Sequence, residues 1–201
     1  MKYFLILINI FYSIEFNAPY LEKYELENGM TIILSPTYDQ PLVYIQTLVG
    51  AGKMNAGENK KIVASLTSQL LRYENANYNH DDFVKYIDNY GDLWSRTTLD
   101  YTVFTIEGLK EDFEQLISIK SETLRYPKFN NDYMNGMKTE MLGWQKMEHE
   151  DNPESQNHFH FQNIILGTNI KNLYSNEDIS LDDLNFFYNS YYYPKNVKLM
   201  I

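Results

Sequence analysis

Apolar and polar positions along the chain follow two different periods, and each period predicts one type of secondary structure. Short runs rich in Val, Ile, Thr, Tyr and Phe are typical of strands, and they occur at residues 30–34, 43–49, 93–106 and 197–201. A loop over residues 36–41 begins and ends with proline and separates the first two runs. The run at residues 93–106 is long enough for one or two strands.

Helices are predicted where apolar residues recur three and four positions apart, because that spacing places them on one helix face. Ile62, Leu66 and Leu70 form such a stripe on the first helix. Asn79 is placed to cap the second helix, and Ser180 begins a capping box at the last one. The predicted helices cover residues 60–73, 81–89, 111–125, 131–149, 154–166 and 180–192.

The order of these elements predicts an α+β fold in which an antiparallel sheet is covered by helices. The chain has 201 residues, of which 44% are hydrophobic and 15% are aromatic. That length fits one domain, and the apolar fraction is sufficient for a buried core. A stripe of methionines at helical spacing is predicted to pack in this core: Met134, Met137 and Met141.

Charge and cysteine content exclude several classes of protein. The chain has 17 basic and 27 acidic residues, so its formal net charge is −10. Such a field repels phosphate backbones and anionic headgroups, which argues against a nucleic-acid partner. The sequence contains no cysteine, which excludes disulfides, thiol nucleophiles, iron–sulfur clusters and thiolate zinc sites.

Residues 1–20 differ in composition from the rest of the chain. One lysine near the start is followed by about ten mostly apolar residues, which is typical of a secretory signal peptide. The run is too short to cross a bilayer as a helix, which takes about 20 residues. We therefore expect a signal peptide and an exported protein, periplasmic or secreted. The alternative is an N-terminal strand, in which case a cytoplasmic location is expected.

Histidine is the remaining candidate for metal or acid–base chemistry, and the chain has 4 histidines. His158 and His160 are two residues apart on a predicted helix, so they point away from each other and are predicted to be surface residues. His149 lies in an acidic stretch that is more typical of a solvated patch than of a metal site. His80 lies beside the cap of the second helix, and this structural position explains the residue without a role in metal binding.

Several short motifs stand in an order that is characteristic of one family. Residues 26–34 resemble an LxNGLxVxL strand, residues 49–52 a glycine turn before a helix, and residues 90–104 a GG…DYTxY hairpin. Residues 140–153 resemble an E…E…DxP helix, and residues 192–197 resemble a YYxPxN strand entry. Together the motifs resemble the N-terminal domain of the insulinase/pitrilysin family of zinc metallopeptidases, whose mitochondrial processing peptidase-like fold is α+β.

The resemblance implies that residues 21–201 form an insulinase-like domain that is incomplete at its C-terminus. In the family, the domain continues past the strand matched by residues 197–201, and a second homologous domain follows. We therefore expect an uncovered sheet edge at the end of this chain, which is a liability unless another chain covers it.

Active members of the family carry His-x-x-Glu-His on the helix after the glycine turn and a further glutamate ligand on a later helix. Residues four apart share a helix face, so the two imidazoles can hold one Zn²⁺ while the glutamate deprotonates a bound water. The resemblance places Ala64 and Ser68 at the histidines, Thr67 at the general base and Gln145 at the distal ligand. None of these side chains is a suitable zinc ligand or a base for water, so we expect no catalytic residue, metal or cofactor.

Substrate binding in active relatives uses an edge strand that begins with Asn-Ala, and the matching residues here are Trp94 and Ser95. An extended peptide can still add to such a strand, because the bonds come from backbone groups. Trp94 is either an anchor for a peptide or partner, or a core residue at the start of a strand. The core position is favoured.

The resemblance implies a catalytically inactive homologue that acts by protein or peptide contact. Many members of the family work in pairs in which one subunit carries zinc, so the expected partner is a family-related peptidase subunit or a second half-domain. Extended peptides are a further expected ligand. Two alternatives remain open: an active zinc endopeptidase with displaced ligands, and a truncated fragment without a function of its own.

Overall fold

The computed structural model describes residues 20–57, 60–150, 152–166 and 179–201. Within these residues the chain forms six strands and six α-helices. The strands are β1 (Glu22–Glu25), β2 (Thr31–Leu34), β3 (Leu42–Val49), β4 (Gly91–Thr97), β5 (Thr102–Leu109) and β6 (Val197–Met200). The helices are α1 (Ile62–Leu70), α2 (His80–Asp88), α3 (Phe113–Arg125), α4 (Asn131–Glu150), α5 (Pro153–Leu166) and α6 (Leu181–Tyr191).

The six strands form one mixed sheet in the order β1-β2-β6-β3-β5-β4. Neighbouring strands are antiparallel except β2 and β6, which run parallel. The α+β prediction is therefore confirmed, with one parallel pair in the sheet that was expected to be antiparallel. The pair arises because β6 inserts between β2 and β3, whose directions are opposite, so it can be antiparallel to only one of them. The expected uncovered sheet edge at residues 197–201 is therefore wrong, since β6 has a strand on each side.

Strand β3 shows how the two faces of the sheet differ. Ile45, Thr47 and Val49 are buried beneath the helices, while Tyr44 on the other face is exposed. Tyr44 donates a hydrogen bond of 2.8 Å to a carboxylate oxygen of Glu107 on β5. The helical face of the sheet thus carries the core, and the opposite face of β3 carries exposed and half-buried side chains.

The buried residues form two apolar clusters on the helical face. One cluster joins α1, α4 and α6 to β3 and β5, and its members include Leu66, Phe104 and Phe187. The other joins α2 and α3 to the far half of β3, β4 and β5, and it includes Ile45 and Phe83. Each fully buried side chain of this size stabilises the fold by about 1.5–3 kcal/mol relative to an exposed one.

The methionines of α4 occupy the place that their spacing predicts. Met134 is buried in the first cluster, and Met137 and Met141 pack against it from the same helix. Both predicted helix caps are also present. The Asn79 side chain accepts a hydrogen bond from the Asp82 amide at α2, and Ser180 forms the capping box of α6.

Strand β1 is not among the predicted strands. Its residues are mostly exposed, and it pairs only with β2 at the margin of the sheet. Because neither face of this strand is fully covered, its sequence shows no clear alternation of apolar and polar positions. The predicted signal peptide, at residues 1–20, falls almost wholly outside the described residues. Among the residues that are described, no helix combines the length and apolarity that a membrane span requires.

Candidate functional site

The three α1 residues that the resemblance singles out lie on one side of that helix. Ala64 and Ser68 are four residues apart, and Thr67 lies beside Ser68. The helix packs against α4, α6 and β4, so these side chains face protein on several sides. The exposed fractions are 0% for Ala64, 0% for Thr67 and 1% for Ser68. Helix α1 therefore presents them to the interior.

A chain of hydroxyl groups joins α1 to the hairpin of β4 and β5. The Ser68 hydroxyl donates to the carbonyl oxygen of Ser65 at 2.9 Å and lies 3.0 Å from Thr97 Oγ1. Thr102 Oγ1 lies 3.3 Å from Thr97 Oγ1 and donates to the carbonyl oxygen of Ala51 at 2.8 Å. Since a serine hydroxyl carries one hydrogen, Thr97 is the donor toward Ser68.

These threonines were not found by sequence reasoning. Threonine is common in strands, so Thr97 and Thr102 carry no pattern that separates a hydrogen-bonded network from ordinary strand composition. Only the approach of the hairpin to α1 brings the hydroxyls together.

Thr67 differs from its neighbour. Its Oγ1 atom is buried and has no hydrogen-bond partner among the described residues. A buried hydroxyl without a partner costs about 1–3 kcal/mol in proteins. Thr67 is thus held in place by packing rather than by a polar contact.

Gln145, the fourth predicted position, lies on α4, the helix that packs against α1. Its side chain is outside the part of the chain that the structure describes, so its place relative to Ala64 and Ser68 stays a prediction. The backbone nonetheless brings the two helices of the predicted site together.

The histidines that the structure describes do not meet at one site. His80 stacks on Tyr73 with ring centroids 4.4 Å apart, and its Nδ1 atom lies 3.1 Å from the Tyr73 carbonyl oxygen. His158 and His160 are exposed on α5, as predicted. The His149 side chain falls outside the described residues. Within the described ranges, no group of three or more His, Asp or Glu side chains is placed to hold a metal ion.

Strand β4 lies at the edge of the sheet beside β5, which leaves one side of its backbone without a neighbouring strand. The carbonyl oxygen of Leu93 accepts a hydrogen bond of 2.6 Å from Arg72 Nη2. Desolvation lowers the pKa of Arg72, and the nearby Asp92 carboxylate opposes this effect. The arginine thus holds part of β4 against the end of α1.

The favoured interpretation of Trp94 as a core residue is wrong. Leu93 is only 3% exposed and belongs to the second apolar cluster, whereas Trp94 on the other face of β4 is 41% exposed. Adjacent residues of a strand point to opposite faces, and the register with β5 directs Leu93 to the helices. A large indole is therefore available on the open face of the edge strand.

The comparisons with known proteins agree on the fold. Residues 31–170 match the family described as Insulinase (Peptidase family M16). None of the curated proteins matches the chain significantly.

Three solved structures illustrate the structural likeness. A protease from Helicobacter pylori has a TM-score of 0.78 and 18% identity over 90% of this chain and 46% of its own. A peptidase M16 inactive domain from Pseudomonas fluorescens has a TM-score of 0.78 and 17% identity, with the same coverage. The periplasmic protease PqqL from Escherichia coli has a TM-score of 0.75 and 14% identity over 90% of this chain and 21% of its own. This chain therefore spans about half the length of the first two structures.

Proposed function

Since the chain belongs to the insulinase family (peptidase family M16), we propose that it is a catalytically inactive member that acts by contact with a family-related peptidase subunit or half-domain. The observation that carries this proposal is the state of Ala64, Thr67 and Ser68. All three are buried, and none has an imidazole or carboxylate to offer.

The residues at these positions do not fit the zinc ion of active relatives. Ala64 has no donor atom, and the Ser68 hydroxyl is already engaged with Ser65 and Thr97. The Thr67 hydroxyl is a neutral oxygen, which is a poor ligand for Zn²⁺ beside His, Cys or carboxylate. It also has no proton-accepting charge near neutral pH, so it cannot replace the glutamate base.

A partner role is supported by the edge strand of the sheet. Strand β4 offers unpaired backbone along part of its outer side, and the exposed Trp94 lies beside it. An extended peptide or partner segment can add to such an edge through backbone hydrogen bonds while the indole contacts a side chain.

The first experiment tests catalysis directly. The purified full-length chain is assayed for zinc content and for cleavage of a quenched fluorescent peptide mixture, with and without a chelator. An active family peptidase with an intact His-x-x-Glu-His motif is the positive control. We expect no cleavage. Stoichiometric zinc, lost together with cleavage when chelator is added, would identify an enzyme with displaced ligands and overturn the proposal.

A second experiment tests the partner. Tagged chain is recovered from its native cell, and co-purifying proteins are identified by mass spectrometry. We expect a peptidase of the same family, and its capture should weaken with Trp94→Ala but not with Trp144→Ala. The second variant is a matched control because Trp144 is also exposed, on α4. Recovery of no family peptidase and no other stable partner would contradict the proposal.

The location of the protein remains a prediction. Export, to the periplasm or outside the cell, follows only if residues 1–20 act as a signal peptide. The intact mass of the protein from its native cell shows whether residues 1–20 have been removed, and so whether they act as a signal peptide.

A further inference from the structure

The helical face of the sheet is covered over only part of its width. Among the described residues, α1, α2 and α3 pack on β3, β4 and β5, whereas β1, β2 and β6 make their principal contacts with other strands. Both β2 and β6 have a strand on each side, so their side chains can be exposed only through the faces of the sheet. The half of the sheet away from β4 therefore has an open helical face.

One row of side chains across the helical face shows where the cover ends. From β5 to β1, the register places side by side Phe104, Thr47, Leu199, Ile32 and Tyr24. Beneath the helices, Phe104 is 0% exposed and Thr47 is 2% exposed. Leu199 and Ile32 are half-buried, and Tyr24 is 49% exposed. The uncovered strands thus present apolar side chains to solvent.

A groove with a volume of about 600 Å³ begins this open face. Its floor includes Leu199 of β6, and its wall is formed by α3 and the end of α6 through Ile117, Leu124, Tyr188 and Tyr193. Three strands about 4.8 Å apart make a face about 14 Å wide, which fits one helix with its side chains. The helix α3 beside it has 13 residues, which gives a length of about 20 Å.

The hydrogen bonding of the floor selects a helix over an extended segment. The backbones of β2 and β6 are paired with strands on both sides, so an added strand would find no free groups there. An α-helix satisfies its own backbone groups and needs only an apolar surface to pack on.

The flank of α3 that faces the groove has opposite charges at its two ends. Glu114, Ile117, Ser121 and Arg125 recur at spacings of three and four, so they share one side of the helix. The last three of them line the groove. Glu114 and Arg125 are exposed, lie about 16 Å apart along the helix axis, and form no ion pair among the described residues.

We propose that this groove binds one amphipathic α-helix of a partner chain. The apolar side of that helix packs on Ile117, Leu199 and Ile32. A basic residue near one end lies opposite Glu114, and an acidic residue near the other end lies opposite Arg125. The inference goes beyond the proposed function and does not depend on it, since the peptide edge β4 lies at the opposite side of the sheet.

The test uses the full-length chain and fluorescence anisotropy with a labelled synthetic peptide of about 14 residues, the length of α3. The peptide has capped ends, a leucine stripe at helical spacing, two lysines at one end and two glutamates at the other. One comparison peptide has the same composition without the stripe, and a second has glutamates at both ends. We expect saturable one-to-one binding of the first peptide. The peptide without the stripe should bind at least about tenfold more weakly, and the peptide with two acidic ends about threefold more weakly.

Ile32→Gln and Ile33→Gln form a matched pair of variants. The two residues are neighbours on β2 and are both half-buried, but they lie on opposite faces of the sheet. Ile32→Gln should weaken binding of the first peptide by about fivefold or more, because apolar area in the groove is lost. Ile33→Gln should bind within about twofold of the unaltered chain.

Glu114→Lys tests the charges without disturbing the core, because Glu114 is exposed. It should weaken binding of the first peptide by about threefold and strengthen binding of the peptide with two acidic ends. Circular dichroism checks that each variant is folded, and Glu114→Lys decides the question if Ile32→Gln is not.

Four results would overturn the proposal. They are the absence of saturable binding, equal binding of the peptides with and without the stripe, equal effects of the folded Ile32→Gln and Ile33→Gln variants, and no change of charge preference in Glu114→Lys. Sedimentation of the chain alone tests a second copy as the occupant. A dimer that Ile32→Gln dissociates and Ile33→Gln does not would likewise overturn the assignment to a partner helix.

Discussion

Ser68 on α1 and Thr97 at the end of β4 are 29 residues apart in sequence, and their hydroxyl oxygens are 3.0 Å apart in the structure. The contact ties the helix of the predicted catalytic motif to the edge strand of the sheet. Ser95 strengthens the same junction, since its hydroxyl donates to the Ser68 carbonyl oxygen at 3.4 Å. Ser68, which the resemblance places at a metal-binding histidine of active relatives, thus makes a structural hydrogen bond in this chain.

Ser68→Ala and Thr67→Val should have opposite effects on stability. Ser68→Ala removes the link to Thr97 and should lower the free energy of unfolding by about 1 kcal/mol. Thr67→Val removes a buried hydroxyl that has no partner while keeping the shape, so stability should be unchanged or higher by up to about 1 kcal/mol. Urea denaturation followed by circular dichroism measures both. A clear loss of stability in Thr67→Val would show that its hydroxyl has a partner.

Two glycine-to-alanine substitutions should change the stability of the chain in opposite directions. A Cβ at Gly52 would lie 2.5 Å from the Leu99 carbonyl oxygen, so Gly52→Ala forces the backbone apart and should cost about 1–3 kcal/mol. Gly136 lies in α4, and a Cβ there meets no atom within 4 Å. Gly136→Ala should stabilise the helix by about 0.5–1 kcal/mol. Thermal unfolding gives the Tm of each variant relative to the unaltered chain. A higher Tm for Gly52→Ala would contradict the close approach of residue 52 to the Leu99 carbonyl oxygen.

Asp183 should make stability depend on pH in the acidic range. Burial raises the pKa of Asp183, but the 2.6 Å bond to Lys60 and the bonds from Ser180 outweigh it, so the pKa lies below its ordinary value of 3.8. Its contribution is therefore present above about pH 4 and is lost as the pH falls through the lowered value.

Asp183→Asn tests that dependence. The variant should lose about 0.5 kcal/mol at neutral pH, a small amount because the ion pair is partly solvated. It should also show a shallower decline in stability below pH 4 than the unaltered chain. Asp182→Asn is the control, since Asp182 is an exposed residue of the same helix turn. If the stability of the unaltered chain and that of Asp183→Asn fall equally below pH 4, the dependence does not come from Asp183.

The buried Lys120 should also make stability rise with pH, but in the alkaline range. Its pKa is lower in the folded chain than in the unfolded chain, because burial disfavours the ammonium. The cost of burying it is full below the lowered pKa and shrinks as the pH rises toward the ordinary lysine value of about 10.4. The unaltered chain should therefore gain stability between pH 7 and 9.5 relative to Lys120→Met. The urea midpoints of the unaltered chain and of Lys120→Met over that pH range measure the difference in stability. A difference that does not change with pH would contradict the prediction.

Leu93 and Trp94 are neighbours whose truncation should have unequal effects. Leu93→Ala opens a cavity in the second apolar cluster and should cost about 2–5 kcal/mol. Trp94→Ala removes a side chain that is 41% exposed and should cost about 1 kcal/mol or less. A larger loss from Trp94→Ala would restore the interpretation of Trp94 as a core residue. Chemical denaturation of the two variants gives the comparison.

Local patterns were sufficient for the elements with strong periodicity. The stripe of Ile62, Leu66 and Leu70 predicts α1, and the structure buries all three residues. The cap at Asn79 and the capping box at Ser180 depend on residues three positions apart, so the sequence contains everything that they need. Strand β1 escaped prediction because its exposed residues carry no alternation.

The sequence by itself determined the fold class, the helices and the absence of histidine and carboxylate from positions 64, 67 and 68. Those features depend on residue identity and on spacing along one segment. The tertiary structure decided the parallel pairing of β2 with β6, the exposure of Trp94 and the meeting of Ser68 with Thr97. Each of these features depends on how separate helices and strands pack against one another in space. A local sequence pattern does not contain that information.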